Sequence, residues 1–117
     1  MSESQRSGEG VDWRVKEAIM NLVGNLVDEL RPYPDLMSMI EPLMSYHILP
    51  ELTSPEPYLR MRAIWFYGQF ENLTITDLNH IKNAMDGIFH GLQDRNLPVR
   101  FYAATTIYKL LKNNEFA

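Results

Sequence analysis

The residues of this chain that could do chemistry are scattered, and what they could do is bind charge rather than turn over a substrate. Histidines stand at 47, 80 and 90. Only the last two share a predicted helix, and ten residues at about 100° each leave them about 80° short of three full turns, so they do not converge on a metal. There is no His-Glu-x-x-His, no glycine-rich phosphate loop, no Gly-x-Ser-x-Gly and no carboxylate pair that the predicted elements would bring together. The sequence therefore nominates no catalytic, cofactor-binding or metal-ligating residue. What remains is a set of cations, Arg60, Arg62, Arg100 and Lys109, with Asp94 six positions before Arg100. Such groups make charge-assisted hydrogen bonds to carboxylates.

The elements that must carry them repeat. Tyr58-Leu59-Arg60-Met61-Arg62-Ala63-Ile64-Trp65-Phe66-Tyr67 and Pro98-Val99-Arg100-Phe101-Tyr102-Ala103-Ala104-Thr105-Thr106-Ile107 match at an offset of 100 − 60 = 40. The offset pairs Leu59 with Val99, Ala63 with Ala103 and Phe70 with Leu110. A period near 40 with helical spacing inside each unit is the signature of stacked helix pairs, each covering its neighbour's apolar face.

Composition agrees with one such domain. At 117 residues the chain can remove roughly 65% of its unfolded surface from water. It is 45% apolar and 22% charged, as ordinary globular proteins are. Eleven basic against fifteen acidic residues give a net charge of −4, which argues against general nucleic-acid binding. Zero cysteines exclude disulfide and thiolate chemistry. The polar start and the lack of roughly 18 uninterrupted apolar residues predict neither a signal peptide nor a membrane span, and so a soluble intracellular chain.

Residues 1–11 read as a disordered leader and 12–117 as the folded segment. Apolar residues at three- and four-residue steps predict five antiparallel helices. The first runs from Asp12 to Arg31 with Val15, Ile19, Leu22, Val23, Leu26, Val27 and Leu30 on its inner face. The second runs from Leu36 to Leu52, with Pro42 and Pro50 implying a kink or break. The third, Pro57 to Glu71, buries Leu59, Ala63, Ile64, Phe66, Tyr67 and Phe70. The fourth, Thr76 to Leu92 and capped by Thr74 or Thr76, carries Leu78, Ile81, Ala84, Met85, Ile88, Phe89 and Leu92. The fifth, Leu97 to Lys112, buries Val99, Tyr102 or Ala103, Ile107, Leu110 and Leu111. The aromatic run of Trp65, Phe66, Tyr67 and Phe70 reads as core rather than as a ligand pocket, and the methionines as gap filling.

Asp94 in a short loop followed by Pro98-Val99-Arg100 and Ala103-Ala104 resembles a HEAT repeat. In order and spacing, Lys16-Glu17-Ala18-Ile19-Met20-Asn21-Leu22-Val23-Gly24-Asn25-Leu26, His47-Ile48-Leu49-Pro50-Glu51-Leu52, Tyr58 to Trp65 and Leu97-Pro98-Val99-Arg100 resemble the importin-beta (karyopherin-beta) superfamily, and most nearly its importin-seven and importin-eight branch. The resemblance covers about Asp12 to Leu111. It implies an all-α superhelix of about two and a half HEAT repeats, taken from a receptor of about twenty. It further implies a non-enzymatic function. The full-length receptor would carry protein cargo through the nuclear pore, release it to Ran-GTP, bind Phe-Gly nucleoporins and shuttle between cytoplasm and nucleus. Asp94 and Arg100 would form a structural ladder between repeats, weakened in the earlier repeat where Ser54 stands in place of Asp. Arg60, Arg62 and Lys109 would lie on a concave partner surface. Nucleic acid and membrane are not implied as partners. The segment alone is expected to self-associate, because its terminal helices keep apolar residues on more than one side. A HEAT-repeat scaffold or regulatory subunit unrelated to transport is the other reading of the same residues.

Overall fold

A computed structural model describes residues 12–112. Seven α-helical segments follow one another: α1 Trp13–Asn25, α2 Val27–Leu30, α3 Pro34–Met37, α4 Ile40–Leu43, α5 Pro57–Gln69, α6 Leu78–His90 and α7 Leu97–Lys112. A π-helical turn, Met44–Ile48, and a 3₁₀ turn, Leu49–Thr53, continue α4, and another 3₁₀ turn, Gly91–Gln93, closes α6. No strand occurs among the described residues. The expected leader, 1–11, lies outside them.

The architecture is two layers of helix pairs. α5 packs between α1 and α7, and α6 packs on the 3₁₀ turn that ends the first pair. Its core runs through both layers. Leu59, Ala63, Ile64, Phe66, Tyr67 and Phe70 of α5 are all buried, as their spacing predicts, and meet Met20, Ile40, Met44, Ile48, Leu52, Ile88, Val99 and Ala103. Close approach is bought with small residues. A Cβ on Gly24 would sit 2.4 Å from the Trp65 ring, and one on Gly68 3.0 Å from Thr106 Oγ1. Gly24→Ala is therefore expected to push Trp65 off α1 and to cost about 1–3 kcal/mol of stability by overpacking. A neutral result in chemical denaturation would refute that contact.

The first two predicted helices are broken. The first divides at Leu26, whose N–H bonds back only three residues to Val23 O at 3.0 Å. The Asn25 side chain donates to Asn21 O at 2.8 Å, competing with the helix for that carbonyl. The second is a chain of short pieces rather than a single helix from 36 to 52. Ile40, Met44 and Ile48 recur strictly every four residues and all are buried. An α-helix turns about 400° in four residues, so such a seam drifts about 40° per step. The wider π turn, in which Leu49 N–H donates to Met44 O, takes up that drift and keeps the three in line. Pro50, with no N–H, then starts the 3₁₀ turn.

Two helices bury only part of the faces expected. On α1, Met20 and Gly24 are buried, with Val23 and Val27 packed beside them. Val15, Ile19, Leu22 and Leu26 form an exposed stripe along the flank of that face. On α6, His80, Ala84 and Ile88 turn inward while Leu78, Ile81, Phe89 and Leu92 are exposed. α7 likewise exposes Leu97, Phe101, Tyr108 and Leu111, so Leu111 is not core. The α6 cap is Asp77, which accepts from Asn79 N at 2.9 Å and His80 N at 3.4 Å. Thr76 instead donates to Glu41 at 3.3 Å.

Candidate functional site

Three of the charged residues singled out by sequence, Arg60, Asp94 and Arg100, meet where the helix pairs join. Arg60, in the first turn of α5, grips the Asp94 carboxylate with Nε at 2.7 Å and Nη2 at 2.9 Å, while its Nη1 donates to Ser54 O at 2.8 Å. The Asp94 side chain is only 9% exposed and that of Arg60 19%. A bidentate pair so covered is much stronger than a surface ion pair. The guanidinium on the Asp94 carboxylate is thus that of Arg60, one repeat back. Arg100 bonds locally, donating from Nη1 to the Asp94 carbonyl at 2.7 Å.

The two turns are built alike. Ser54 Oγ accepts from Glu56 N at 3.1 Å, and Asp94 Oδ1 accepts from Asn96 N at 2.9 Å. Each arginine donates to the carbonyl six residues before it. At the α1 end Lys16 reaches Glu51 in an ion pair that spans 35 residues, as Arg60 to Asp94 spans 34. Sequence reasoning passed over Lys16 and Glu51. The signal was present: Lys16 stands four residues after the Asp12 cap, as Arg60 does after the Glu56 cap.

The hydrogen bonds from Arg60, more than any other influence, hold the Asp94 carboxyl below the usual carboxylate range. A group depressed on folding contributes stability that is present above its unfolded value, about 3.9, and is lost as pH falls through the lower folded value. The pair is therefore expected to lose its contribution only below about pH 4, as acid titration of the unfolding midpoint in the chain and in Asp94→Asn would show.

Arg62 is also engaged. Its Nε donates to Glu17 at 2.7 Å, and the guanidinium lies 4.7 Å from the centroid of the Trp65 ring. Gln69 Nε2 donates to Gly24 O at 3.2 Å, adding a tie between α5 and α1. Lys109 is half-buried on α7, its Cδ 3.6 Å from where a Gly68 Cβ would sit. Arg60, Arg62 and Lys109 do not form one cluster: the first faces the turn of the next pair, the second faces α1, and the third lies on α7.

His80 is buried, 3% exposed, with Nε2 2.7 Å from the Tyr67 hydroxyl and Nδ1 3.9 Å from Glu41. Burial pushes the Tyr67 hydroxyl well above its ordinary range, so it stays neutral. Tyr67→Phe would leave His80 without that partner and is expected to cost about 1–3 kcal/mol. An unchanged urea midpoint would count against this pairing. His47 and His90 are exposed and distant, and no group of three or more His, Cys, Asp or Glu among the described residues could hold a metal ion. An apolar cleft of about 420 Å³ opens between α5, α6 and α7, lined by Phe70, Leu73, Ile81 and Met85. No described helix is long and apolar enough to cross a membrane.

No protein-family profile matches the chain, and no solved structure matches it. Curated proteins do. An importin beta-like SAD2 homolog of Arabidopsis thaliana is 33% identical over 97 residues, covering 83% of this chain and 9% of its own length. A probable importin-7 homolog of Dictyostelium discoideum is 31% identical over 102 residues, 87% of this chain and 10% of its own. Importin-8 of Danio rerio is 29% identical over 110 residues, 91% of this chain and 10% of its own. The chain thus spans about a tenth of the length of the curated relatives it matches. A match over 83–91% of an all-α chain, at up to 33% identity, places the chain by descent: it belongs to the importin-beta family, with the importin-7 and importin-8 branch among its relatives.

Proposed function

We propose that this chain serves as a HEAT-repeat segment of a nuclear import receptor, acting by protein–protein binding and not by catalysis. The whole receptor would carry protein cargo through the nuclear pore, bind Ran-GTP and Phe-Gly nucleoporins, and occupy cytoplasm and nucleus. The observation that carries this reading is the match to importins over 83–91% of the chain. Within the segment, Arg60 with Asp94 and Lys16 with Glu51 serve as rungs that fix one helix pair on the next, joined through the Asp94 carbonyl to Arg100. Arg62, steadied by Glu17 and Trp65, and Lys109 are the residues we propose for contact with an acidic partner.

The test is a chimera. Human importin-8, of which 103 residues match this chain at 27% identity, is given this chain in place of its matched stretch, and import of a fluorescent importin-8 cargo is followed in permeabilised cells. Retained import supports the reading. Loss of import by a chimera that is folded and monodisperse would overturn it.

On its own the chain is expected to self-associate through the exposed stripes of α1, α6 and α7. Sedimentation should show a mass that rises with concentration and falls on Phe101→Glu. A monomer at every concentration would contradict this.

A further inference from the structure

The apolar cleft between α5, α6 and α7 carries one charge. Met44, Tyr67, Phe70 and Ile88, which make its floor, are buried and belong to the core. Leu73 and Ile75 of the 70–77 connection form one wall. That wall is tied down: Leu73 N donates to Phe70 O at 3.0 Å, and Thr76 N and Asp77 N donate to the Glu41 carboxylate at 3.3 and 3.2 Å. Glu71 is the only charged residue among the described residues that line the cleft. Its Oε1 is buried and has no hydrogen-bond partner. A carboxylate oxygen shut away from water without a donor is costly, so such an atom calls for a group that answers it. Tyr67, one turn earlier, already commits its hydroxyl to His80 at 2.7 Å.

We infer that this cleft is a binding site for a small organic amine, an ammonium group carried on one aromatic ring or short alkyl body, with the ammonium on Glu71 and the apolar body against Phe70 and Ile88. The volume of about 420 Å³ lies within the range of about 300–1,000 Å³ typical of pockets that take small molecules. The order of the groups sets the order of the ligand. Glu71 is half-buried beside the exposed Asn72, whereas the floor is fully buried and apolar. An occupant must therefore lead with its apolar end and trail its charge. A lysine or arginine side chain from a protein leads with its charge and would bring it to Phe70 and Ile88, so the occupant is a free small molecule. A neutral ring gains nothing at Glu71, and an acid is repelled there. This inference rests on the cleft alone and stands apart from any transport role.

The probes are three molecules with one indole ring and different heads: tryptamine, its alcohol analogue tryptophol, and indole-3-acetate. Each is titrated into the purified chain and followed by backbone amide shifts and calorimetry. Tryptamine is expected to bind one to one with a Kd of about 1 mM or tighter, moving the amides of Leu73, Ile75 and Met85. Tryptophol should bind about tenfold or more weakly, having lost the charge-assisted bond, and indole-3-acetate should not bind. Glu71→Gln should bring tryptamine down to the level of tryptophol and leave tryptophol unchanged, with a urea midpoint showing that the variant is folded. Ile81→Trp, at the exposed rim, should block both. The head-group series needs no variant, so it decides even where Glu71→Gln unfolds. The inference is overturned if tryptamine does not bind, if tryptophol or indole-3-acetate binds as well, if folded Glu71→Gln binds tryptamine unchanged, or if the shifts fall outside the cleft.

Discussion

Replacing Phe66 by alanine is expected to cost about 3–5 kcal/mol, the largest single loss available in this core. Phe66 has no exposed surface. Its ring lies 4.9 Å from that of Phe70 at 33° and helps wall a gap shared with Met20, Val23, Leu43 and Ile48. It therefore joins α1, the broken helical stretch from α4 to the π turn, and α5 at one point. Truncation removes the transfer free energy of the ring and leaves a void that three separate elements must close. Phe66→Leu, which keeps most of the volume, should lose much less. For a domain near 100 residues each kcal/mol shifts the melting temperature by about 4–8 °C, so Phe66→Ala should fall by more than 10 °C. Urea midpoints for both variants with an unchanged slope are the measurement. A loss below about 1 kcal/mol would mean that the two layers do not meet at this residue.

The second large effect is at Asp94. Asp94→Ala is expected to destabilise by about 3 kcal/mol, because it strands the largely covered Arg60 guanidinium and also removes the acceptor of Asn96 N. Arg60→Ala should cost less, since Asp94 keeps the Asn96 bond and can take up a proton. A double-mutant cycle isolates the pair, with an expected coupling of about 1–3 kcal/mol. The coupling should change little with salt, as a covered bidentate pair is weakly screened. Coupling near zero, or coupling between Asp94 and Arg100 in its place, would show that the carboxylate pairs locally and not across the repeats.

That distinction marks how far the sequence could be read. A six-residue spacing between Asp94 and Arg100 makes the link across one turn visible, and the structure keeps it through the Asp94 carbonyl. The 34-residue link to Arg60 depends on how one pair settles on another, which no local pattern contains. The core of α5 was legible because α1 and α7 pack on it from two sides, so nearly all its large apolar residues are covered and there is little choice of face. α1 and α6 were misread in part for the opposite reason. Each carries one broad apolar arc, and periodicity cannot say which edge of the arc meets the core and which stays exposed. The breaks in the first two helices arise from competition for carbonyls and from proline, whose presence was visible but whose outcome was not.

The π turn at Met44–Ile48 also bears on which changes of chain length the protein can absorb. Removing one residue there would tighten the winding and rotate everything beyond it by about 100° about the helix axis, swinging Ile48 away from the seam. Adding one would rotate it the other way. Insertions and deletions are thus excluded from this stretch, whereas the 70–77 connection can change length without turning anything. Among orthologues, gaps should collect in that connection and be absent between Ile40 and Ile48.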